Sequence, residues 1–266
     1  MASAVYLGLA WHFWNTRWRR RSGAVASGLR RWERGAMLVP LGMHAWLLHA
    51  ALFSAAQLRF GFAQALSVMM FLGVALYWVE SLFYSLEGME PLVLPLAAAA
   101  VPLPALFPGL AASAAHSEAG GFRLHLALAM IAYSLFVIAL LHATLMALAE
   151  RRLHRKTSRV FSSLPPLLTL ERLLFRVIGA AFFFLTLTLL TGIVFSETLF
   201  GRALRFDHKT VFAILSWATF GLLLGGRALY GWRGRTALRW TLTGFVMLLL
   251  AYVGSRFVLE VLLGGR

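Results

Sequence analysis

The run LHLALAMIAYSLFVIALLHATLMALA, from Leu124 to Ala149, contains no charged side chain. As an α-helix it would reach about 39 Å, more than the roughly 30 Å apolar thickness of a bilayer. A soluble core cannot absorb several such segments, because the surface of a compact domain limits what it can bury. Apolar runs recur along the whole chain: hydrophobic residues make up 60% of its 266 positions and charged ones 13%, with a mean hydropathy of +0.76. The expected fold class is therefore all-α, a polytopic integral membrane helix bundle. It forms a single transmembrane domain over residues 1–266, with no loop large enough for a soluble domain.

Hydropathy predicts about eight transmembrane helices. They cover Ala2–Trp14, Ala36–Leu58, Ala63–Phe83, Pro91–Leu110, Leu124–Ala149, Leu173–Phe195, His208–Leu224 and Leu238–Leu262. The first span is short, and is expected either to be tilted or to begin upstream of Met1. Its order, apolar and then basic, is the reverse of a cleaved signal peptide. The fourth carries five of the eight prolines and is expected to be kinked or broken, since each interior proline removes a backbone donor. The stretch Ser162–Phe175 is too polar to span. It reads as a lead-in to the sixth span, with Thr169 as a helix cap and Glu171 and Arg172 facing water or headgroups. GWRGR, at Gly231–Arg235, reads as a tight turn with Trp232 at the interface.

The formal net charge is +15, and all but two of the 25 cationic residues are arginine. A nucleic-acid binder could be as basic, but these cations cluster in short loops between apolar runs. They are read as orientation signals and lipid headgroup contacts, with no nucleic-acid partner. The rich loops are Arg17–Arg34, Arg151–Arg172 and Arg227–Arg239. Placing them in the cytoplasm puts the N-terminus and the C-terminus outside. The absence of cysteine excludes disulfides, thiolate metal sites and thiol redox chemistry within the chain.

Eight histidines remain as candidate chemistry. By direction of crossing, His125 and His208 share the outer level, while His44 and His142 form a possible second pair towards the inside. His49 lies nearer the middle, and His12, His116 and His154 read as interface or loop residues. Buried histidines are costly in a membrane, although each could simply bond a neighbouring helix. Paired imidazoles at one depth suit a haem iron, which takes axial ligands from opposite sides. His208 follows Asp207, a candidate N-cap, so it opens the positive first turn of its helix, where a neutral ring suits a metal. Arg123, Arg202, Arg205, Lys209 and Arg256 lie near the outer face, where they could receive haem propionates or contact lipid headgroups. Glu80 falls near an inner end; it could be a proton carrier, but it reads first as snorkelling to water. No catalytic constellation is evident, so an enzyme is not expected.

Several segments carry a resemblance. HLALAMIAYSLFVIALLHATLMALAERRL, PPLLTLERLLFRVIGAAFFFLTLTLLTGIVF, DHKTVFAILSW, GWRGR and LLLAYVGSRF follow one another in the order found in the cytochrome c assembly membrane proteins. They lie between about Phe122 and Phe257 and resemble most the small inner-membrane branch of that family (YpjD/HemX-like); the first half matches by its spans and by His44. The resemblance implies non-covalent, b-type haem as cofactor, a bacterial inner-membrane location, and cytochrome assembly proteins or apocytochromes as partners. It also implies His125 and His208 as iron ligands, with His44 as the branch's second-span histidine. One departure is clear: the outer segment SETLFGRALRFD has no tryptophan, where larger relatives carry a tryptophan-rich stretch. The expected function is a haem-binding accessory factor in cytochrome c assembly. The alternatives are a small transporter or permease using the broken fourth span, or a structural scaffold of a membrane complex.

Overall fold

The computed structural model describes residues 1–19, 29–53, 59–84, 88–109, 120–154, 167–200 and 207–263. Helix α1 (Ala2–Phe13) is prolonged by a π-helical turn, Trp14–Trp18, and is followed by α2 (Arg31–Phe53) and α3 (Phe62–Phe83). Next come α4 (Glu90–Ala100), α5 (Leu103–Leu106), α6 (Gly120–His154), α7 (Leu167–Phe200), α8 (His208–Tyr230) and α9 (Arg235–Leu249). Helix α9 continues to Leu262 through π-helical turns at Leu250–Gly254 and Val258–Leu262. Six helices are long and apolar enough to cross a membrane: α2, α3, α6, α7, α8 and the extended α9. The segment Glu90–Leu106 is a shorter apolar helix, and α1 is shorter still.

The chain packs as two groups of helices. In the first, α2 and α4 lie against α3, and α1 packs on α4 and α2; in the second, α7 and α9 lie against α6, with α8 between them. Contacts between α3 and α6, and between α3 and the turn Leu250–Gly254, join the groups. The Phe136 and Phe220 rings stack with centroids 3.8 Å apart, bringing α6 to α8 at mid-bundle. A side chain at Gly244 would meet the Phe220 ring at 2.8 Å, so glycine there lets α9 approach α8. Ser216 Oγ donates to the Gly244 carbonyl at 2.9 Å, and Tyr133 OH to that of Leu248 at 2.7 Å. Such bonds hold helices together in lipid, where apolar surface alone gives little preference for helix over solvent.

The proline-rich fourth span breaks as expected: α4 ends at Ala100, a turn follows at Val101 and Pro102, and α5 resumes at Leu103. At the GWRGR turn, Gly231 and Gly234 take φ of 66° and 58°, the left-handed region open to glycine. Trp232 folds back over Gly226 and stacks on Trp240, with centroids 5.2 Å apart. Helix α7 starts at Leu167, earlier than predicted, so Thr169 lies inside its first turn instead of capping it. Glu171 corrects another expectation. It is buried and bridges Arg227 at 2.6 Å, joining α7 to α8, where hydropathy placed it in water.

One end of the bundle collects the arginine-rich connections and is fastened by carboxylates. Glu33, 2% exposed, accepts from Arg17 at 2.7 Å and from the Arg30 backbone N–H at 2.8 Å, and meets His12 at 3.2 Å. Glu90 accepts from Tyr77 OH at 2.7 Å and from the Gly88 N–H at 2.9 Å. These ties fix α1 to α2 and α3 to α4 at what is here called the basic end. The opposite end carries His125 and His208.

Candidate functional site

The polar residues of α7 explain how His125 is held. Thr186, Thr188 and Thr191 each donate Oγ1 to the carbonyl one turn earlier, at 2.8 Å, which satisfies a hydroxyl inside an apolar helix. Thr191 Oγ1 also lies 3.0 Å from His125 Nδ1. A hydroxyl has one proton to give, and Leu187 O or Thr188 O receives it. Thr191 is then the acceptor and His125 Nδ1–H the donor, so Nε2 of the neutral ring keeps its lone pair. Gly192 makes room, since a Cβ there would sit 3.3 Å from His125 Cε1. A second residue that fixes the tautomer in this way is a common support for a metal-ligating histidine.

His208 is the first residue of α8. Asp207 caps the helix as predicted, with Oδ1 accepting from Thr210 N and Oγ1, both at 3.0 Å. Burial pushes the Asp207 carboxyl up, but the bonds from Thr210, with Lys209 and His208 beside it, outweigh that and hold it below its ordinary value. Depth can be read from the Phe136–Phe220 stack. His125 precedes Phe136 by about 16 Å and His208 precedes Phe220 by about 18 Å, so the two histidines are level to within a helical turn. Direction differs. His125 shares the Phe136 side of α6 and is half-buried against α7, whereas His208 lies about 120° round α8 from Phe220 and is exposed.

Lys209 lies within electrostatic reach of Arg256 on the extended α9. The Arg256 guanidinium lies 5.8 Å from the Tyr252 ring centroid, and its Nε has no hydrogen-bond partner among the described residues. The Glu260 carboxylate lies next to Gly61 at the start of α3, with Arg256 as a nearby counter-charge, and its oxygens have no hydrogen-bond partner among the described residues. Arg123 is exposed near the start of α6. Arg202, Arg205 and His116 lie outside the described residues, as does the side chain of His154.

His44 sits elsewhere. It is 1% exposed, with Nε2 2.9 Å from Ser67 Oγ on α3 and Nδ1 3.4 Å from Tyr6 OH on α1. Both nitrogens tie helices together. The expected inner pairing of His44 with His142 does not occur. His142 faces Glu80 on α3, about 20 Å along that helix from Ser67, so the two histidines occupy different levels. Glu80 turns inward to that contact instead of snorkelling. Thr191, Ser67 and Tyr6 were missed by sequence reading; their one signal was a polar group inside an apolar run. Among the described residues no group of three or more His, Asp or Glu gathers to hold a metal ion.

A polytopic helical membrane bundle with a held histidine at one end is the class that fold and geometry define. The chain matches the family described as Cytochrome C assembly protein over residues 35–263, and it belongs to that family. The match extends well before Phe122, where the quoted motifs begin. Among curated relatives, it is 34% identical over 148 residues to "Inner membrane protein YpjD" of Escherichia coli K12, covering 55% of this chain and 56% of that protein. It is 38% identical over 144 residues to an "Uncharacterized 28.8 kDa protein" of Azospirillum brasilense, covering 53% and 52%. It is 28% identical over 144 residues to "Cytochrome c biogenesis protein CcsA" of Chlamydomonas reinhardtii, covering 54% and 40%. The chain thus spans about half the length of the curated relatives it matches, or less. No solved structure matches.

Proposed function

We propose that this protein binds haem at the His125 end of its bundle and serves cytochrome c assembly as an accessory factor without catalytic activity of its own. The observation that carries the reading is the Thr191–His125 hydrogen bond, which leaves Nε2 available to a metal at a half-buried position. The donor set suits haem: one oriented imidazole, a second imidazole at the same depth, and Lys209 and Arg256 nearby for propionates. Haem, b-type and non-covalent, would be held by His125 and His208 and would supply an iron that takes neutral imidazoles as ligands. His125 is the held ligand, and His208, exposed at the first residue of α8, is the ligand that must turn to meet it. His44 is assigned to holding α1, α2 and α3 together, not to the haem.

Family membership and the relatives' names support a role in cytochrome assembly and an inner-membrane location. They favour this reading over a transporter or a scaffold. The clustering of arginine favours the basic end in the cytoplasm, with both termini on the outer side. Apocytochromes and other assembly proteins are the partners proposed. Purified protein is titrated with haem b and the Soret band followed. The reading expects saturable binding that a His125→Ala, His208→Ala double variant loses; absence of binding by the wild type would overturn it.

A further inference from the structure

Among the described residues of the basic end, Glu33, Glu90 and Glu171 are each matched to donors, whereas a buried oxygen of Glu80 is not. Glu80 on α3 faces His142 on α6, with Oε2 3.6 Å from Nε2, slightly beyond a hydrogen bond. Neither atom has a hydrogen-bond partner among the described residues, and the His142 side chain is 0% exposed. The other ring nitrogen fixes the tautomer. His142 Nδ1 lies 2.9 Å from the Ile138 carbonyl, which can only accept, so Nδ1 carries a proton and donates it. In the neutral ring Nε2 is therefore a lone pair aimed at a carboxyl oxygen.

An ionised Glu80 beside that ring would oppose two acceptors with nothing between them, and a buried acceptor left unsatisfied is costly. One proton removes the conflict. It can sit on Glu80, as a carboxylic acid donating to Nε2, or on His142, as an imidazolium donating to the carboxylate. Either way the couple is neutral overall. Removing that proton or adding a second leaves a net charge in apolar surroundings, which is disfavoured.

Among the described residues, the surrounding groups give neither Glu80 Oε2 nor His142 Nε2 a hydrogen bond. On α3 itself, Tyr77 donates to Glu90, and just past its end Tyr84 OH accepts from Arg176 of α7 at 3.1 Å. Glu90 of α4 is taken by Tyr77 and Gly88, Arg17 after α1 bonds Glu33, and α2 brings the Arg34 carbonyl, which accepts from Trp78, and the Arg34 guanidinium, whose buried Nε has no hydrogen-bond partner among the described residues.

We propose that Glu80 and His142 together bind a single proton, forming a proton-binding site between α3 and α6 at the basic end of the bundle, entered through Glu80. The route follows from exposure, since the Glu80 side chain is 17% exposed while that of His142 is closed off. The site joins the two groups of helices, so its proton is also a tie between them. It is separate from the haem reading and stands or falls without it.

The test uses the full chain in lipid bilayers at a pH about two units above the ordinary histidine value, where isolated glutamates are ionised and isolated histidines neutral. Infrared difference spectra compare wild type with Glu80→Gln, whose amide can still donate to Nε2. ¹⁵N-histidine NMR compares wild type with His142→Asn. The expected result is either a protonated-carboxyl band lost in Glu80→Gln or an imidazolium signal lost in His142→Asn. A carboxylate band for Glu80 together with a neutral His142 overturns the proposal. If Glu80→Gln does not fold, Glu80→Asp, which shifts the carboxyl band without removing it, gives the same decision.

Discussion

At the scale of single residues, the account depends on which nitrogen of His125 holds its proton. Thr191 decides this because its own proton is already given to a backbone carbonyl. Thr191→Val keeps the shape and removes the acceptor, so His125 loses its fixed tautomer and orientation. Haem affinity should then fall by about 10-fold or more, the usual cost of removing such a support. Thr191→Ser, which keeps the hydroxyl, should stay near wild type; equal affinities for the valine and serine variants in a haem titration would contradict the role given to Thr191. His125 itself was legible in the sequence as a polar residue at a span edge. Its support was not, since a threonine in an apolar helix usually bonds its own backbone, and only the facing of α6 and α7 shows it doing more.

At the scale of the element, α8 is placed by its ends. Asp207 caps the first turn, and Gly231 closes the last with a left-handed conformation. Asp207→Ala should cost about 1 kcal/mol. The pH dependence has a definite sign. The Asp207 carboxyl is depressed in the folded state, so its contribution is present above the ordinary value of 3.8 and is lost as pH falls through the lower folded value. Asp207→Asn keeps an oxygen acceptor and does not titrate. Thermal unfolding in nanodiscs between about pH 2 and 5 should show a step in wild type that the asparagine variant lacks; identical profiles would argue that the cap carries no charge effect. The D-H-K sequence made this cap readable in advance, because capping chemistry is local. The start of α7 was misplaced for the opposite reason. Glu171 is held by Arg227 from α8, a contact between residues distant in sequence, so local polarity pointed to water.

At the scale of the whole molecule, six of the eight expected spans fall on helices long and apolar enough to cross a membrane, because bilayer thickness and helix rise leave little freedom; the first and fourth fall on shorter helices. Depth assignments were less secure. Counting residues from a span's end placed His44 and His142 together, whereas hydrogen bonds to Ser67 and contact with Glu80 separate them along α3. Helices that start at different heights defeat such counting. Orientation can be tested cleanly, since a chain without cysteine is its own background for labelling. Ser117→Cys should react with an impermeant maleimide in intact cells, and Ser158→Cys only after permeabilisation; the reverse would invert the topology. The central claim concerns two imidazoles on one iron. Resonance Raman of haem-loaded protein should give a six-coordinate low-spin signature in wild type and a five-coordinate high-spin one in His208→Ala, restored to low spin by added imidazole. An unchanged low-spin spectrum in both His125→Ala and His208→Ala would contradict it.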